Sequence, residues 1–61
     1  MVSIYEFEVS LSINGGNIKE QIVRIVASSF KIASERLENR FNDMNNVILV
    51  HYDYIQDFIA Y

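Results

Sequence analysis

Ser3-Ile4-Tyr5-Glu6-Phe7-Glu8-Val9-Ser10-Leu11-Ser12-Ile13-Asn14-Gly15-Gly16-Asn17 decides how this chain begins to fold. Tyr5, Phe7, Val9, Leu11 and Ile13 alternate with Glu6, Glu8, Ser10 and Ser12. A period of two over that length is the pattern of a half-buried β-strand, so the odd residues are expected to face a core. Asn14-Gly15-Gly16-Asn17 then supplies side chains that tolerate the positive φ of a tight hairpin turn.

The residues after the turn read as a second strand, about Ile18 to Ala27, apolar on both parities. Register decides which parity faces inward, because a slip of one residue turns every side chain over. A three-residue loop pairs Tyr5 with Ile25 and Phe7 with Val23. It is preferred because the other register would place Glu20 and Arg24 in the core beside Ile22. Ser28-Ser29 next offers an N-cap hydroxyl. Phe30, Ala33, Leu37 and Phe41 follow at spacings of three, four and four, one stripe of a helix with Lys31, Ser34, Glu35 and Glu38 off it. Asn42 to Asn46 ends the helix. A third strand is expected from about Val47 to Tyr54, and the tail from Ile55 to Tyr61 reads equally as more strand or as a helical turn.

The order strand, strand, helix, strand predicts an α+β domain over residues 1–61. Its sheet is three-stranded and antiparallel in the order 2-1-3, with the ββαβ helix packed on one face. The other face is then left open. It would carry Ile4, Ile18, Ile22, Val26 and one parity of Val47 to Tyr54, more apolar surface than soluble monomers usually display in one place.

Size sharpens that expectation. With 61 residues the chain makes one small domain, and 51% of those residues are hydrophobic. Domains this small bury roughly 60% of their unfolded surface and commonly need a disulfide, a metal or a partner chain. Cysteine is absent and His51 is the one histidine, which leaves no disulfide, no thiolate site and no multi-histidine zinc site. No metal or other cofactor is therefore expected. A partner remains: another protein, or the chain itself as a homodimer or small structural assembly whose sheets pack face to face or edge to edge, or both.

The formal net charge is −3 and the pI about 4.8. Lys19, Arg24, Lys31, Arg36 and Arg40 are scattered, and no cation follows Arg40. That distribution argues against a nucleic-acid partner bound through its phosphates. The longest apolar run, Val47 to Val50, is far short of the ~20 residues that span a bilayer, and the N-terminus has no basic segment ahead of an apolar one. A cytoplasmic location and no membrane partner are the resulting expectations.

Chemistry-bearing residues are few. His51 and Asp53 share one side of a strand, the arrangement of a base with its orienting carboxylate, but no nucleophile or oxyanion site accompanies them. Ser28 and Ser29 are accounted for as helix caps. Glu6 and Glu8 share a face with Asp53 nearby if the third strand pairs there, yet a sugar cleft for paired carboxylates is hard to build at this size. No catalytic residue is assigned, and the chain is expected not to be an enzyme. Gly15-Gly16 lacks the lysine and helix of a phosphate loop. Binding is the better use of these side chains: Glu6, Glu8, Asp53 and Asp57 as steering charges, with Ile22, Tyr52, Tyr54, Phe58 and Tyr61 as apolar and aromatic anchors.

The order of elements over about residues 4–54, with Val26-Ala27-Ser28-Ser29 leading into Ala33 and Leu37, resembles the small phage-encoded ββαβ inhibitor proteins. These include the RNA polymerase inhibitor of short-tailed coliphages and, in order and acidity, the uracil-DNA glycosylase inhibitor of small Bacillus phages. The resemblance lies in topology and spacing and transfers no binding residue. It implies a phage or mobile-element protein, working in the host cytoplasm, that occludes a host protein such as a nucleic-acid-handling or defence enzyme.

Overall fold

A computed structural model describes residues 1–60. Four elements follow in order: β1 (Ser3–Ile13), β2 (Asn17–Ala27), α1 (Phe30–Asn42) and β3 (Val47–Ile59). The strands form one antiparallel sheet in the order β2-β1-β3. Helix α1 covers one face, giving a two-layer α+β, ββαβ molecule 38 × 19 × 14 Å across.

The hairpin follows from its turn residues. Asn14 and Gly15 have φ of 52° and 80°, the two positive values that match a type I′ turn to the twist of the strands. Three residues separate the strands, and Tyr5 pairs with Ile25 and Phe7 with Val23. The inward set on β2 is therefore Val23, Ile25 and Ala27. They join Phe7, Val9 and Leu11 of β1 and Ala33, Leu37 and Phe41 of α1 in the core, while Tyr5 and Ile13, at the ends of the β1 stripe, are half-buried.

Ser29 caps α1, its Oγ accepting from the Ile32 amide at 3.3 Å. Replacing Ser29 with Ala is expected to lower stability by about 1 kcal/mol, read as a shift in urea midpoint at unchanged slope. Phe30, expected in the core, stays 47% exposed. It sits at the helix entrance, where its ring leans on Tyr5, Phe7 and Tyr54. A helix of 13 residues is about 20 Å long, roughly half the length of the sheet, so it covers only part of that face.

Strand β3 continues past Tyr54 to Ile59, so the tail takes the strand reading of the two the sequence left open. Its pairing with β1 slips twice: one irregularity lets Val50 stand between the partners of Ser10 and Leu11, the other lets Ile55 stand between the partners of Glu6 and Phe7. Each extra residue restarts the alternation. Leu49, Tyr52, Tyr54 and Asp57 consequently pair with the helix-side residues Leu11, Val9, Phe7 and Tyr5, and Ile48, His51, Asp53, Gln56 and Phe58 take the open side. Among the described residues no helix is long and apolar enough to cross a membrane.

Candidate binding face

The open side of the sheet is built in cross-strand rows, because directly paired residues share a face. One end row is Val26, Ile4 and Phe58. The next is Arg24, Glu6 and Gln56; then come Ile22, Glu8 and Asp53; Glu20, Ser10 and His51; and at the far end Ile18, Ser12 and Ile48. Ile18, Ile22, Val26, Ile48 and Phe58 are between 42% and 63% exposed. The face is thus apolar at both ends, with a polar and charged middle in which Ile22 of β2 stands between Arg24 and Glu20.

The Glu6 row is a closed network. Arg24 Nε donates to Glu6 Oε2 at 2.8 Å and Gln56 Nε2 donates to Glu6 Oε1 at 2.9 Å, leaving Glu6 only 7% exposed. Glu6 was expected as a free steering charge; it is instead a covered clasp that ties the three strands together, its charge taken up by Arg24. Gln56 reaches it because the extra residue Ile55 turns Gln56 to the open side. The Arg24 guanidinium, and after it the Gln56 amide, hold the Glu6 carboxyl below its ordinary value near 4.5. A lowered folded-state pKa means the clasp contributes stability above the unfolded pKa and loses it as pH falls through the folded one. Wild type should therefore lose stability on acidification below about pH 4.5, and Glu6→Gln should remove that share of the loss. Urea midpoints measured from about pH 6 to pH 3 check this, and parallel curves for the two proteins would refute it.

Glu8 and Asp53 stand directly opposite each other, both exposed, a like-charge pair that costs the sheet up to about 1 kcal/mol. His51 Nε2 lies 3.1 Å from Asp53 Oδ1 at the surface, on the same side of β3 as the sequence placed it. With Glu20 accepting from the Ser10 hydroxyl at 3.4 Å, these acids form the centre of the face. No group of three or more His, Asp or Glu side chains arranged to hold a metal occurs among the described residues.

The expected anchors divide between the two sides. Ile22 and Phe58 are on the open face. Tyr52 and Tyr54 are on the helix side: their rings meet Phe7 edge-on at 5.7 and 6.5 Å, and the Tyr52 hydroxyl donates to Glu38 Oε2 at 3.0 Å. Asp57 is on the helix side too and does not join the acidic centre. It accepts from the Tyr54 hydroxyl, and this bond holds the Tyr54 phenol above its ordinary pKa. Tyr61 lies outside the described residues. Ile18 and Val26, expected on the open face, and Ile48, whose parity the sequence left open, belong with Ile22 and Phe58 as candidate contacts. A groove of about 370 Å³ between α1 and β3, lined by Glu38, Asn42, Leu49, Val50, His51 and Tyr52, is open to solvent.

No protein-family model, curated protein or solved structure matches the chain. Its function is therefore read from this geometry.

Proposed function

We propose that the chain is a protein-binding module that presents the open face of its sheet to another protein and acts by occluding the surface it covers. The observation that carries this is the exposure of Ile18, Ile22, Val26, Ile48 and Phe58 on a sheet face that no element among the described residues covers. Large exposed apolar side chains flanking a charged middle are the composition of a contact surface. Glu8, Asp53 and Glu20 at its centre suit a partner with a basic middle, and they would speed its approach. The resemblance in element order and acidity to small phage-encoded inhibitors supports a host protein as the one occluded.

The test is a paired pull-down from host lysate with wild type and an Ile48→Asp/Phe58→Asp variant. Both positions are well exposed, so the variant should remain folded by circular dichroism. A protein retained by wild type and lost from the variant, yet kept by a Lys31→Ala control on the exposed side of α1, is the expected result. Its affinity should fall as salt rises from about 50 to 500 mM if the acidic centre steers it. Identical captures for all three proteins would sink the reading.

A further inference from the structure

We propose that two copies of the chain join β2 to β2 about a twofold axis centred on Ile22, forming one continuous six-stranded antiparallel sheet. This pairing runs along the edge of the sheet and takes in neither Ile48 nor Phe58, so it goes beyond the preceding reading and does not depend on it.

The backbone supplies the first argument. In antiparallel pairs, hydrogen-bonded and non-hydrogen-bonded positions alternate. On β1 and its flanks the even residues turn toward β3: Val2 O accepts from the Ala60 amide at 2.9 Å, and the Asn14 amide donates to Asn46 O at 2.8 Å. Odd residues of β1 therefore bond to β2, and they pair with odd residues there. The even residues of β2, Ile18, Glu20, Ile22, Arg24 and Val26, point their amides and carbonyls away from the sheet. Val26 O agrees, since it accepts from Arg36 Nη1 of α1 at 2.6 Å. The carbonyl has a second lone pair for a further donor.

A second argument selects this edge over the other. Strand β3 is interrupted by two irregularities, a device that discourages pairing at an edge. Strand β2 is regular through all 11 of its residues, with no proline and no bulge. It is a long open template.

Charge complementarity then selects the occupant. Outward residues must meet outward residues, which leaves few symmetric registers. Centring on Glu20 sets two carboxylates face to face, and centring on Arg24 sets two guanidiniums. Centring on Gln21 or Val23 places Ile22 against a charge. Centring on Ile22 pairs it with the partner's Ile22, sets Glu20 opposite the partner's Arg24 in both directions, and sets Ile18 opposite the partner's Val26. All of these contacts fall on the open side. Arg24 uses Nε for Glu6 and keeps its side chain 67% exposed, so its remaining donors are free for the partner's Glu20. The edge of this strand thus complements its own copy, residue for residue, in one register alone. In such a dimer both helices lie on one side of the sheet, and the open face is doubled in width.

Sedimentation equilibrium on the whole chain from about 1 µM to 1 mM should show the mass rising from one chain to two. Glu20→Arg and Arg24→Glu should each raise the dimer dissociation constant roughly ten- to a hundredfold, since each converts two attractive cross-strand pairs into repulsive ones. An equimolar mixture of the two variants restores both pairs and should recover the dimer. Because Arg24→Glu also strips Glu6 of its partner, Ile22→Pro provides a variant that removes the outward amide and the central side chain while leaving the Glu6–Arg24 pair intact; it should stay folded and monomeric. In the wild-type dimer the amides of Glu20, Ile22 and Arg24 should exchange with solvent slowly at high concentration and fast at low. A single-chain mass throughout, a dimer indifferent to Glu20→Arg, or no recovery in the mixture would each overturn the proposal. Capture of a foreign protein that depends on Ile48 and Phe58 would be unaffected by any of these outcomes.

Discussion

Phe7→Ala is expected to leave little folded protein at 37 °C. Phe7 is wholly buried at the centre of the middle strand, and its ring is met by Phe30 at 5.9 Å, Tyr52 at 5.7 Å and Tyr54 at 6.5 Å between centroids. Truncating a buried phenylalanine costs about 3–5 kcal/mol, part from lost burial and part from the cavity left behind. A chain of 61 residues has a total stability of roughly 3–9 kcal/mol, so one substitution consumes most of it. Phe7→Leu keeps most of the volume and should cost less than half as much. Thermal and urea unfolding followed by circular dichroism separates the three proteins. A loss under about 1 kcal/mol for Phe7→Ala would mean that the aromatic cluster is not the centre of the core.

The same cluster shows what the sequence made legible. Phe7 announced itself through the unbroken alternation from Tyr5 to Ile13, and Leu37 through its helical spacing from Ala33 and Phe41. In both, one period runs the length of the element and one face is buried, so pattern and packing agree. The register of β2 was legible for a related reason: only one loop length kept Glu20 and Arg24 out of the core. Strand β3 resisted reading because it has no single period. Val50 and Ile55 each add one residue without a partner, and neither a glycine nor a proline marks the place. Simple alternation inward from Leu49 would put His51 in and Tyr52 out; the bulge at Val50 reverses both. The bulge at Ile55 likewise turns Gln56 outward to Glu6 and Asp57 inward to Tyr54. The candidate face was legible as a face, then, but its membership was not. Glu6 looked like its neighbour Glu8, and only the cross-strand arrival of Arg24 and Gln56 makes one a clasp and the other a free charge.

A proline placed at adjacent positions of β2 should give opposite results, the second large effect. Val23 is buried and pairs with Phe7, and as an odd residue its amide bonds to β1. Val23→Pro deletes that donor, leaves a buried carbonyl on Phe7 without a partner at about 1–3 kcal/mol, and replaces a packed side chain in the core. The sum approaches the whole stability of a chain this small, and the variant should be unfolded at room temperature. Ile22 is half exposed and its amide points away from the sheet, a setting in which an edge strand accepts proline. Ile22→Pro should therefore cost under about 1 kcal/mol in the single chain. Circular dichroism and one-dimensional proton spectra of the two variants at low concentration suffice to compare them. The contrast tests more than stability, because the alternation that protects Val23 also leaves the Ile22 amide free for a second β2. Two variants unfolded alike would refute the assignment of outward amides, and the pairing of copies built on it would go with it. A folded Ile22→Pro beside an unfolded Val23→Pro would establish that β2 bonds to β1 with its odd residues alone, so that Ile18, Glu20, Ile22 and Arg24 form an edge whose amides and carbonyls point away from the sheet.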